Sequence, residues 1–438
     1  MQSLATDVQV PPPGARVAVV GAGIAGLASA WLLARQYHVT LFEAGHYFGG
    51  HSNTVDVTLE GKTHPVDTGF LVHNDLTYPN LIALFETLGV AVHQSDMSFG
   101  VSIDEPDIEW AGTNLGTVFA QKRNLVRPAF LGMLREIMRF NKAAPEYLRQ
   151  ARTEPLTLGE LLARHGYGHA MQQWYLLPMA AAIWSSSVKD ILGFPAQTFL
   201  QFCLNHRLLQ IEGRPQWRTV LGGSRTYVQA MLPAIQATHL NCPVHAVRRT
   251  SEAVEIHSAA GLESFDAVVM ACHAPKSCAL LDLDAREQAV LGSIRYQPNS
   301  AVLHTDARLL PRRQKVWSAW NYLSATGQGG DARPVAVSYL INRLQPLPFK
   351  TPVVVTLNTH RAPDPEAVIA HFDYDHPVMD SALIDAQKQL PSIQGQRRTW
   401  FCGAWCGYGF HEDGLRSAMA VARDFGVSIP WQERRDDQ

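Results

Sequence analysis

A glycine-rich segment between a strand and a helix constrains the fold of this chain more than any other feature. Residues 16–20 (RVAVV) form a continuous, mainly β-branched run, which is typical of a parallel strand buried on both faces. The run leads directly into Gly21-Ala-Gly-Ile-Ala-Gly26, and residues 27–36 then show the apolar spacing of a helix. A second strand is predicted over residues 38–43. This order predicts an α/β fold whose parallel sheet begins with a glycine-rich turn.

The spacing of these glycines suits the pyrophosphate of a dinucleotide. We expect Gly21 to make the tight turn, Gly23 to let the ligand approach the backbone, and Gly26 to let the helix pack closely on the strand. Ile24 and Ala25 lie at the start of the helix, where free N–H groups and the positive end of the helix dipole favour phosphate. All five are therefore predicted to bind the cofactor.

Glu43, at the end of the second predicted strand, completes this motif. It lies at the distance from Gly21 at which an acidic side chain accepts hydrogen bonds from a ribose diol. A carboxylate there would repel a 2′-phosphate, so NADP is disfavoured. A chance glycine-rich turn is the alternative, but it does not explain the strand, the helix and the acid together.

Composition and charge narrow the class of protein. Hydrophobic residues make up 46% of the 438 residues and charged residues only 17%, so the chain can bury one large core or two. The formal net charge of −2 argues against a protein dedicated to nucleic acid. The six cysteines include no Cys-x-x-Cys pair, so we expect neither a metal site nor a thiol redox pair.

No targeting segment or membrane span is predicted. Residues 1–14 lack the basic and apolar stretches of a secretory signal. The longest apolar run, residues 174–184, is well short of the ~20 residues that span a bilayer. We therefore expect a cytoplasmic protein.

A second group of glycines indicates which dinucleotide is bound. Ala44 follows the acid directly, and Gly49-Gly50-His51 comes soon after, where an NAD-binding domain would normally proceed to its next helix; an ordinary β-turn is the alternative. Residues 66–70 (VDTGF) and a C-terminal segment, residues 399–418, carry further glycines beside apolar runs. Together these segments resemble those of the flavoprotein amine oxidase and phytoene desaturase superfamily.

This resemblance implies an FAD cofactor and positions for several residues. Backbone groups around Gly49, Gly50 and His51 would meet the pyrophosphate, while Val244 would contact the adenine through its backbone. The residues implied to lie near the flavin ring, its pyrimidine or the ribityl chain are Gly69, Phe70, Gly403, Asp413, Gly414 and Leu415.

The resemblance also implies the domain organisation. A Rossmann-like FAD-binding domain would combine residues 1–75, 225–285 and 395–438, and a mixed α+β substrate domain would combine residues 76–224 and 286–394. Within the substrate domain the sequence predicts helices over 78–88, 128–141, 158–165 and 195–209, and strands over 301–304, 334–341 and 352–357.

The chain departs from amine oxidases at two positions. His51 stands where those enzymes usually carry an arginine that reaches the pyrophosphate, and none of the eight lysines can be matched to their active-site lysine. Cys402 and Cys406 lie near the predicted flavin helix, but we expect buried thiols rather than covalent attachment. No second glycine motif follows a strand, so electrons would pass from FAD to oxygen, a quinone or a carrier protein rather than to NAD(P).

Six short blocks resemble a narrower bacterial family of fatty-acyl desaturase-like flavoproteins, often encoded beside cyclopropane-fatty-acid-synthase-like methyltransferases: residues 49–54, 67–70, 78–81, 182–186, 320–322 and 407–414. The resemblance implies dehydrogenation of a small-molecule or phospholipid acyl chain, with a methyltransferase as an associated protein. Two alternatives remain open. The substrate could be an amine or a carotenoid-type polyene, or the chain could be a non-catalytic FAD-binding partner of the methyltransferase.

Candidate catalytic residues come from the segment before the predicted flavin helix. His411 has a reference pKa near neutrality that suits a general base, and Tyr408 lies three residues before it. A histidine hydrogen-bonded to its surroundings is the simpler alternative for His411. His73 and Asn74 are further candidates.

A basic segment interrupts the balanced charge of the chain. Residues 119–152 contain eight Lys and Arg residues against two Glu, together with bulky apolar residues at helical spacing. A basic amphipathic helix of this kind suits an anionic membrane surface, and the enzyme would then be peripheral to the inner membrane. The alternative is a core helix whose basic residues face solvent.

Overall fold

The computed structural model describes residues 10–210, 212–324 and 336–432. Its helices, in chain order, are α1 (Ile24–Leu33), α2 (Pro79–Leu88), α3 (Leu115–Val118), α4 (Pro128–Thr153), α5 (Leu158–Arg164), α6 (His169–Met171), α7 (Leu177–Trp184), α8 (Val188–Leu192), α9 (Ala196–Asn205), α10 (Arg225–Met231), α11 (Ala274–Leu280), α12 (Ala285–Leu291), α13 (Ile341–Leu344), α14 (Ser381–Gln389) and α15 (His411–Asp424).

The strands, in chain order, are β1 (Arg16–Val20), β2 (His38–Phe42), β3 (Thr54–Leu59), β4 (Lys62–Asp67), β5 (His73–Asn74), β6 (Val92–Ser95), β7 (Phe99–Ile103), β8 (Ile108–Ala111), β9 (Trp217–Val220), β10 (Ala237–His239), β11 (Val244–Arg249), β12 (Val254–Ser258), β13 (Gly261–Phe265), β14 (Ala267–Met270), β15 (Tyr296–His304), β16 (Trp320–Ser324), β17 (Ala336–Leu340), β18 (Val354–Leu357), β19 (Val368–Pro377) and β20 (Thr399–Phe401). The strand predicted over 334–341 begins at residues outside the described ranges.

A five-stranded parallel sheet in the order β10-β2-β1-β14-β20 confirms the predicted α/β fold. Its central strand β1 is buried on both faces, since Val17, Ala18 and Val19 have no exposed surface. Helix α1 begins at the glycine turn itself, three residues earlier than predicted, because Ile24 already has helical backbone geometry. Helix α15 returns from the far end of the sequence and packs against α1.

A seven-stranded mixed sheet forms a second layer, in the order β19-β15-β18-β17-β16-β7-β8. Its neighbouring strands are antiparallel except β16 and β7, which run parallel. Among the helices of residues 115–205, α3 contacts β8 and α7 contacts β16 of this sheet. Three small sheets complete the fold: β11-β12-β13, β3-β4 and β5-β9-β6.

The basic segment forms helix α4, which is longer than predicted. It continues past Pro145 to Thr153 because its buried apolar face continues through Tyr147, Leu148 and Ala151. Much of the apolar face that suggested a membrane helix is in the protein core, since Phe130, Met133 and Phe140 are buried; Leu131 and Met138 are exposed. Across the described residues, no helix is both long and apolar enough to cross a membrane.

A buried carboxylate joins separate parts of the fold. Asp67, at the end of β4, accepts hydrogen bonds from the backbone N–H of Ser224 (2.8 Å) and from the side chains of Thr54 (2.6 Å) and Gln345 (2.9 Å). Burial raises the pKa of this carboxyl to about 6, although these hydrogen bonds oppose the rise. One side chain thus connects the β3–β4 hairpin to the start of α10 and to the mixed sheet.

His304, at the end of β15, is fully buried and held as a neutral ring. Its Nδ1 accepts the backbone N–H of Asp306 at 3.1 Å, and its Nε2 lies 2.8 Å from the hydroxyl of Thr356. Burial lowers the pKa of His304 to about 4. Protonation of Nδ1 would remove the acceptor that Asp306 uses.

We predict that His304 contributes to acid sensitivity. Its pKa lies below that of the unfolded chain, so between about pH 6.5 and 4 the unfolded chain binds a proton that the folded protein does not, and stability falls. Between pH 7.5 and pH 5, His304 should lower the free energy of unfolding by about 2 kcal/mol. The His304→Gln variant should therefore lose about 2 kcal/mol less stability than the wild type over this interval. Denaturant titrations at both pH values measure this difference. His38→Gln, at an exposed strand end, is the control. If His304→Gln loses as much stability between the two pH values as the wild type, the prediction is wrong.

Candidate functional site

A cavity of about 910 Å³ lies between the parallel sheet and the second layer. Its volume is near the upper end of the roughly 300–1,000 Å³ typical of ligand pockets. One end is formed by the carboxyl ends of β1 and β2, where a doubly wound sheet binds its ligand. The other end is formed by the mixed sheet and by helices α7 and α9.

Most residues predicted to bind the cofactor or react line this one cavity. They are Gly21, Gly23, Ile24, Ala25, Glu43, Ala44, Gly49, Gly50, His51, Gly69, Phe70, Val244, Gly403, Tyr408 and His411. Four others lie behind its wall: Gly26, Asp413, Gly414 and Leu415. Gly414 lies where α15 contacts Ile24 of α1, and Leu415 is fully buried.

The glycines of the first turn serve two different purposes. Gly21 has a φ of +102°, and a side chain at Gly26 would overlap the carbonyl oxygen of Gly21, so these two residues let β1 and α1 approach each other. Gly23 has an ordinary φ of −69°, and a methyl group there would meet no protein atom within 4 Å. The space beside Gly23 is therefore left open for a ligand.

The second glycine pair is docked onto the first. Gly49 donates its N–H to the carbonyl of Ala22 at 2.8 Å, and Gly50, with a φ of +58°, lies so close to Gly23 that a methyl group would be 3.1 Å from its Cα. Both loops present backbone to the same part of the cavity. Such paired N–H-rich loops favour an anionic ligand.

Glu43 is oriented by the first turn. Its carboxylate accepts the backbone N–H groups of Ala22 (2.8 Å) and Gly45 (2.7 Å), one on each oxygen. Each oxygen of a carboxylate has a second lone pair. The side chain can therefore still accept hydrogen bonds from a pair of ribose hydroxyls.

Three histidines lie together at the same end. His51 is half-buried, its ring stacks on Tyr374 and His376, and its buried Nε2 has no hydrogen-bond partner among the described residues. Burial, and then the neighbouring His376 and His273, keep the pKa of His51 well below its usual value. An anionic phosphate beside the ring would supply the missing partner.

Sequence reasoning missed His273, His376 and Lys276. All three line the cavity. Among the described residues, Lys276 is the only lysine in the cavity lining. His273 and Lys276 lie at the start of α11, and His376 lies at the end of β19. No local motif marks them, because strand pairing brings these segments to the cavity from distant parts of the sequence.

The first residue of α15, His411, closes the cavity near Phe70. The His411 ring stacks on Phe70 at 3.7 Å between centroids, and its Nε2 lies 2.9 Å from the hydroxyl of Ser52, which also contacts the hydroxyl of Tyr227. Burial and the nearby His73 lower the pKa of His411 to about 3. His411 therefore has a side-chain partner and is neutral at pH 7.

Tyr408 and Asp413 differ in their access to the cavity. Tyr408 lines it, and burial raises the pKa of its phenol, so it keeps its proton. Asp413 lies behind the wall and accepts the backbone N–H of Phe410 at 3.1 Å, which caps α15. Burial raises the pKa of Asp413 to about 6.

His73 and Asn74, the further catalytic candidates, do not line the cavity. Asn74 is buried, and its Oδ1 accepts the backbone N–H groups of Leu76 and Thr77, both at 2.9 Å. His73 packs against Phe85 in the core behind Phe70. Both residues stabilise the chain that carries Phe70 rather than facing a ligand.

The far end of the cavity is apolar and aromatic. It is lined by Met97, Ile183, Trp184, Phe202, Leu208, Trp217, Trp320, Tyr339 and Leu357. Trp405 also lines the cavity, whereas Trp174, Tyr175, Trp317 and Tyr322 do not.

These features fit FAD. The open space at Gly23, the free acceptor sites of Glu43 and the unpaired Nε2 of His51 suit the ribose and pyrophosphate of an adenine dinucleotide. Gly69, Phe70 and Gly403 border the middle of the cavity, where the sequence places the flavin ring. The apolar end beyond them leaves room for a second molecule.

We predict that Gly23→Val and Gly26→Val fail for different reasons. At position 23 the added Cβ would enter the space of the pyrophosphate and meet no protein atom within 4 Å, so the chain should fold and purify with less than about a tenth of the normal flavin content. The valine at position 26 would clash with backbone, so that variant should lose folded structure. Flavin absorbance and circular dichroism of the two proteins measure this, and a Gly23→Val protein with normal flavin content would contradict the assignment.

Comparison with known proteins agrees with this site. A family model described as flavin containing amine oxidoreductase matches residues 24–339, whereas no curated protein sequence matches the chain. A fatty acid isomerase from P. acnes that produces CLA has a TM-score of 0.66 at 15% identity, over 93% of this chain and 98% of that one.

Two amine-oxidising enzymes share the fold to a similar degree. Putrescine oxidase bound to putrescine has a TM-score of 0.64 at 14% identity, over 95% of this chain and 100% of that one. Cyclohexylamine oxidase from Brevibacterium oxydans has a TM-score of 0.63 at 15% identity, over 94% and 100%. At these identities the likeness concerns the fold alone.

The family match spans more than half of the chain; it begins at Ile24, inside the first glycine motif, and includes the second glycine pair, Gly49 and Gly50. It confirms an FAD-dependent oxidoreductase, with FAD as the cofactor that the cavity accommodates. The chain belongs to the flavin containing amine oxidoreductase family.

Proposed function

We propose that the protein dehydrogenates a lipid acyl chain, using FAD as the electron acceptor. The proposal rests on one observation: at the apolar end of the cavity, the buried polar groups that have no partner are hydrogen-bond donors. Trp184 and Trp320 line this end, and their indole Nε1 atoms are buried and have no acceptor among the described residues. Such donors suit the carbonyl or carboxylate of an acyl group.

These unpaired hydrogen-bond donors do not suit a protonated amine. It requires acceptors or a carboxylate, because buried charges are stable only when they are paired. The acidic residues lining the cavity in the described ranges are Glu43, Asp373 and Asp375. Glu43 lies beside the first turn, at the cofactor end, Asp373 is exposed, and Asp375 lies 3.9 Å from His273, also at the cofactor end.

The side chains of the apolar end would bind and orient the acyl chain. When bound, FAD would supply a site that accepts a hydride from one carbon, and the proton of the neighbouring carbon would pass to a general base. The aromatic and aliphatic wall would exclude water, and the indole N–H groups would fix the carbonyl so that one carbon–carbon bond lies beside the flavin.

The two predicted catalytic residues take different parts in this proposal. Tyr408 faces the cavity with a protonated phenol, so its hydroxyl would contact the substrate as a hydrogen-bond donor. The low pKa of His411 makes it a weak base, and its bond to Ser52 and stacking on Phe70 make it a positioning residue that holds the wall beside the flavin.

Location and partners are part of the same proposal. A phospholipid substrate would place the enzyme in the cytoplasm at the inner membrane, with a lipid methyltransferase as its associated protein. A Gly23→Val protein that kept full cellular function would instead favour a non-catalytic FAD-binding partner, and it would remove the dehydrogenation proposal.

We expect phospholipid or fatty-acyl substrates, and not simple amines, to bleach the oxidised flavin absorbance under anaerobic conditions. Mass spectrometry of the lipid should show the loss of two hydrogen atoms in proportion to the flavin reduced. Bleaching by putrescine or a similar amine, with none by lipid, would identify an amine oxidase. A shifted double bond without a change in mass would indicate an isomerase, and either result would overturn the proposal.

We also predict that Trp320→Phe impairs acyl turnover while leaving flavin content unchanged. The variant keeps an aromatic ring but removes one indole N–H, and the loss of one hydrogen bond should lower kcat/KM about fivefold. Trp317→Phe is the matched control, because the Trp317 N–H donates to the carbonyl of Pro311 at 2.7 Å and lies outside the cavity lining. Equal effects of both substitutions would show that the N–H of Trp320 does not meet the substrate.

A further inference from the structure

Some large apolar side chains of the basic segment are exposed to solvent, whereas others pack in the core. A 3₁₀ helix over Lys122–Val126 ends in Leu125 and Val126, whose exposed fractions are 53% and 81%. On the following helix α4, Leu131 and Met138 are 43% and 55% exposed. Large apolar side chains exposed next to one another mark an interaction surface more often than those scattered singly.

Cations alternate with these apolar residues. Leu131, Arg135, Met138 and Lys142 are spaced by four, three and four positions, which places them in one stripe along α4. Arg135, Lys142 and Lys122 are exposed and form no ion pair in the described part of the chain. We call these five residues, with Leu125 and Val126 of the 3₁₀ helix, the α4 surface.

Other basic residues of the segment are already engaged. Arg123 pairs with Asp107, Arg149 pairs with Glu146, and Arg139 lies over the ring of Tyr167 at 4.1 Å. The positive charge of the α4 surface is therefore carried by the three residues for which the described part of the chain shows no ion pair. Those three charges, set among exposed apolar groups, define its chemistry. Val126, at the tip of the 3₁₀ helix, is the most exposed of its apolar members and is counted with them.

We infer that the α4 surface binds an anionic phospholipid bilayer. The cations would meet lipid phosphates, and Leu125, Val126, Leu131 and Met138 would enter the boundary between headgroups and acyl chains. A second copy of this chain fits the same surface less well, because a symmetric contact would bring two sets of three unpaired cations together.

The location of the surface relates it to the cavity. Helix α4 packs on α9, and Phe202 of α9 lines the apolar end of the cavity. A bilayer on α4 would therefore lie one helix layer from the site proposed for the acyl chain. The inference deepens the proposed function, since it explains how a lipid substrate reaches the enzyme, but binding can be measured without turnover.

The test is vesicle sedimentation of the FAD-loaded full chain. We expect binding to phosphatidylcholine vesicles that contain about a third phosphatidylglycerol, weaker binding to phosphatidylcholine alone, and loss of most binding at high salt. The double variant Arg135→Glu/Lys142→Glu should bind the anionic vesicles at least about 30-fold more weakly. The control Arg248→Glu/Arg286→Glu changes net charge equally at exposed positions on β11 and α12 and should bind like the wild type.

A second variant tests the apolar part. Leu125→Ser/Val126→Ser should weaken binding to both vesicle types while leaving its salt dependence unchanged. Wild-type protein that does not sediment with anionic vesicles, or an Arg135→Glu/Lys142→Glu variant that binds normally, would overturn the inference. So would light scattering that shows a dimer dissociated by Leu131→Ser/Met138→Ser, because the surface would then join two subunits. Vesicle binding without acyl turnover would leave this inference standing and remove the proposed function instead.

Discussion

The close approach of Gly21 and Gly26 is the contact on which the rest of the site depends. Because neither residue has a side chain, β1 can turn directly into α1, and the N-terminus of the helix points into the cavity. The other segments are arranged around this turn. Gly49 donates its N–H to the carbonyl of Ala22. The backbone after β14 is so close to Gly21 that a methyl group on Gly21 would lie within 3 Å of it. Helix α15 packs on α1 through Gly414. A cofactor site assembled from distant segments therefore has one rigid reference point.

The parts of the fold near this turn could be predicted from the sequence because their signals are local. A buried parallel strand is apolar along its whole length, and a phosphate-binding turn requires glycine at fixed spacing, so β1, α1, β2 and Glu43 were all placed correctly within a few residues. The resemblance added the second glycine pair and Gly69, and the structure brings these residues to the same cavity. Their individual roles in binding FAD stay predictions.

Other features have no local signal. β10 joins the edge of the parallel sheet with only three residues, Ala237–His239, which show no strand pattern. Helix α4 continues through Pro145, where propensity predicts an end, because packing of its apolar face stabilises the helix on both sides. His273 and His376 meet His51 through strand pairing and helix placement across the whole chain. Side chains selected by tertiary contacts in this way are not marked by spacing.

Different layers of the fold supply most of the side chains at the two ends of the cavity. The cofactor end and the proposed substrate end therefore differ in their chemistry. The parallel sheet and its loops supply backbone N–H groups, Glu43, His51 and His273, which suit a dinucleotide whatever is oxidised; His376 reaches the same end from β19 of the mixed sheet. The mixed sheet and the helices packed on it supply the apolar wall and the indole N–H groups. Because hydrogen-bond donors without acceptors disfavour a cation and favour a carbonyl, a change of a few side chains in the second layer is enough to change the substrate class. Family membership fixes the first layer, and the second layer carries the argument for an acyl chain.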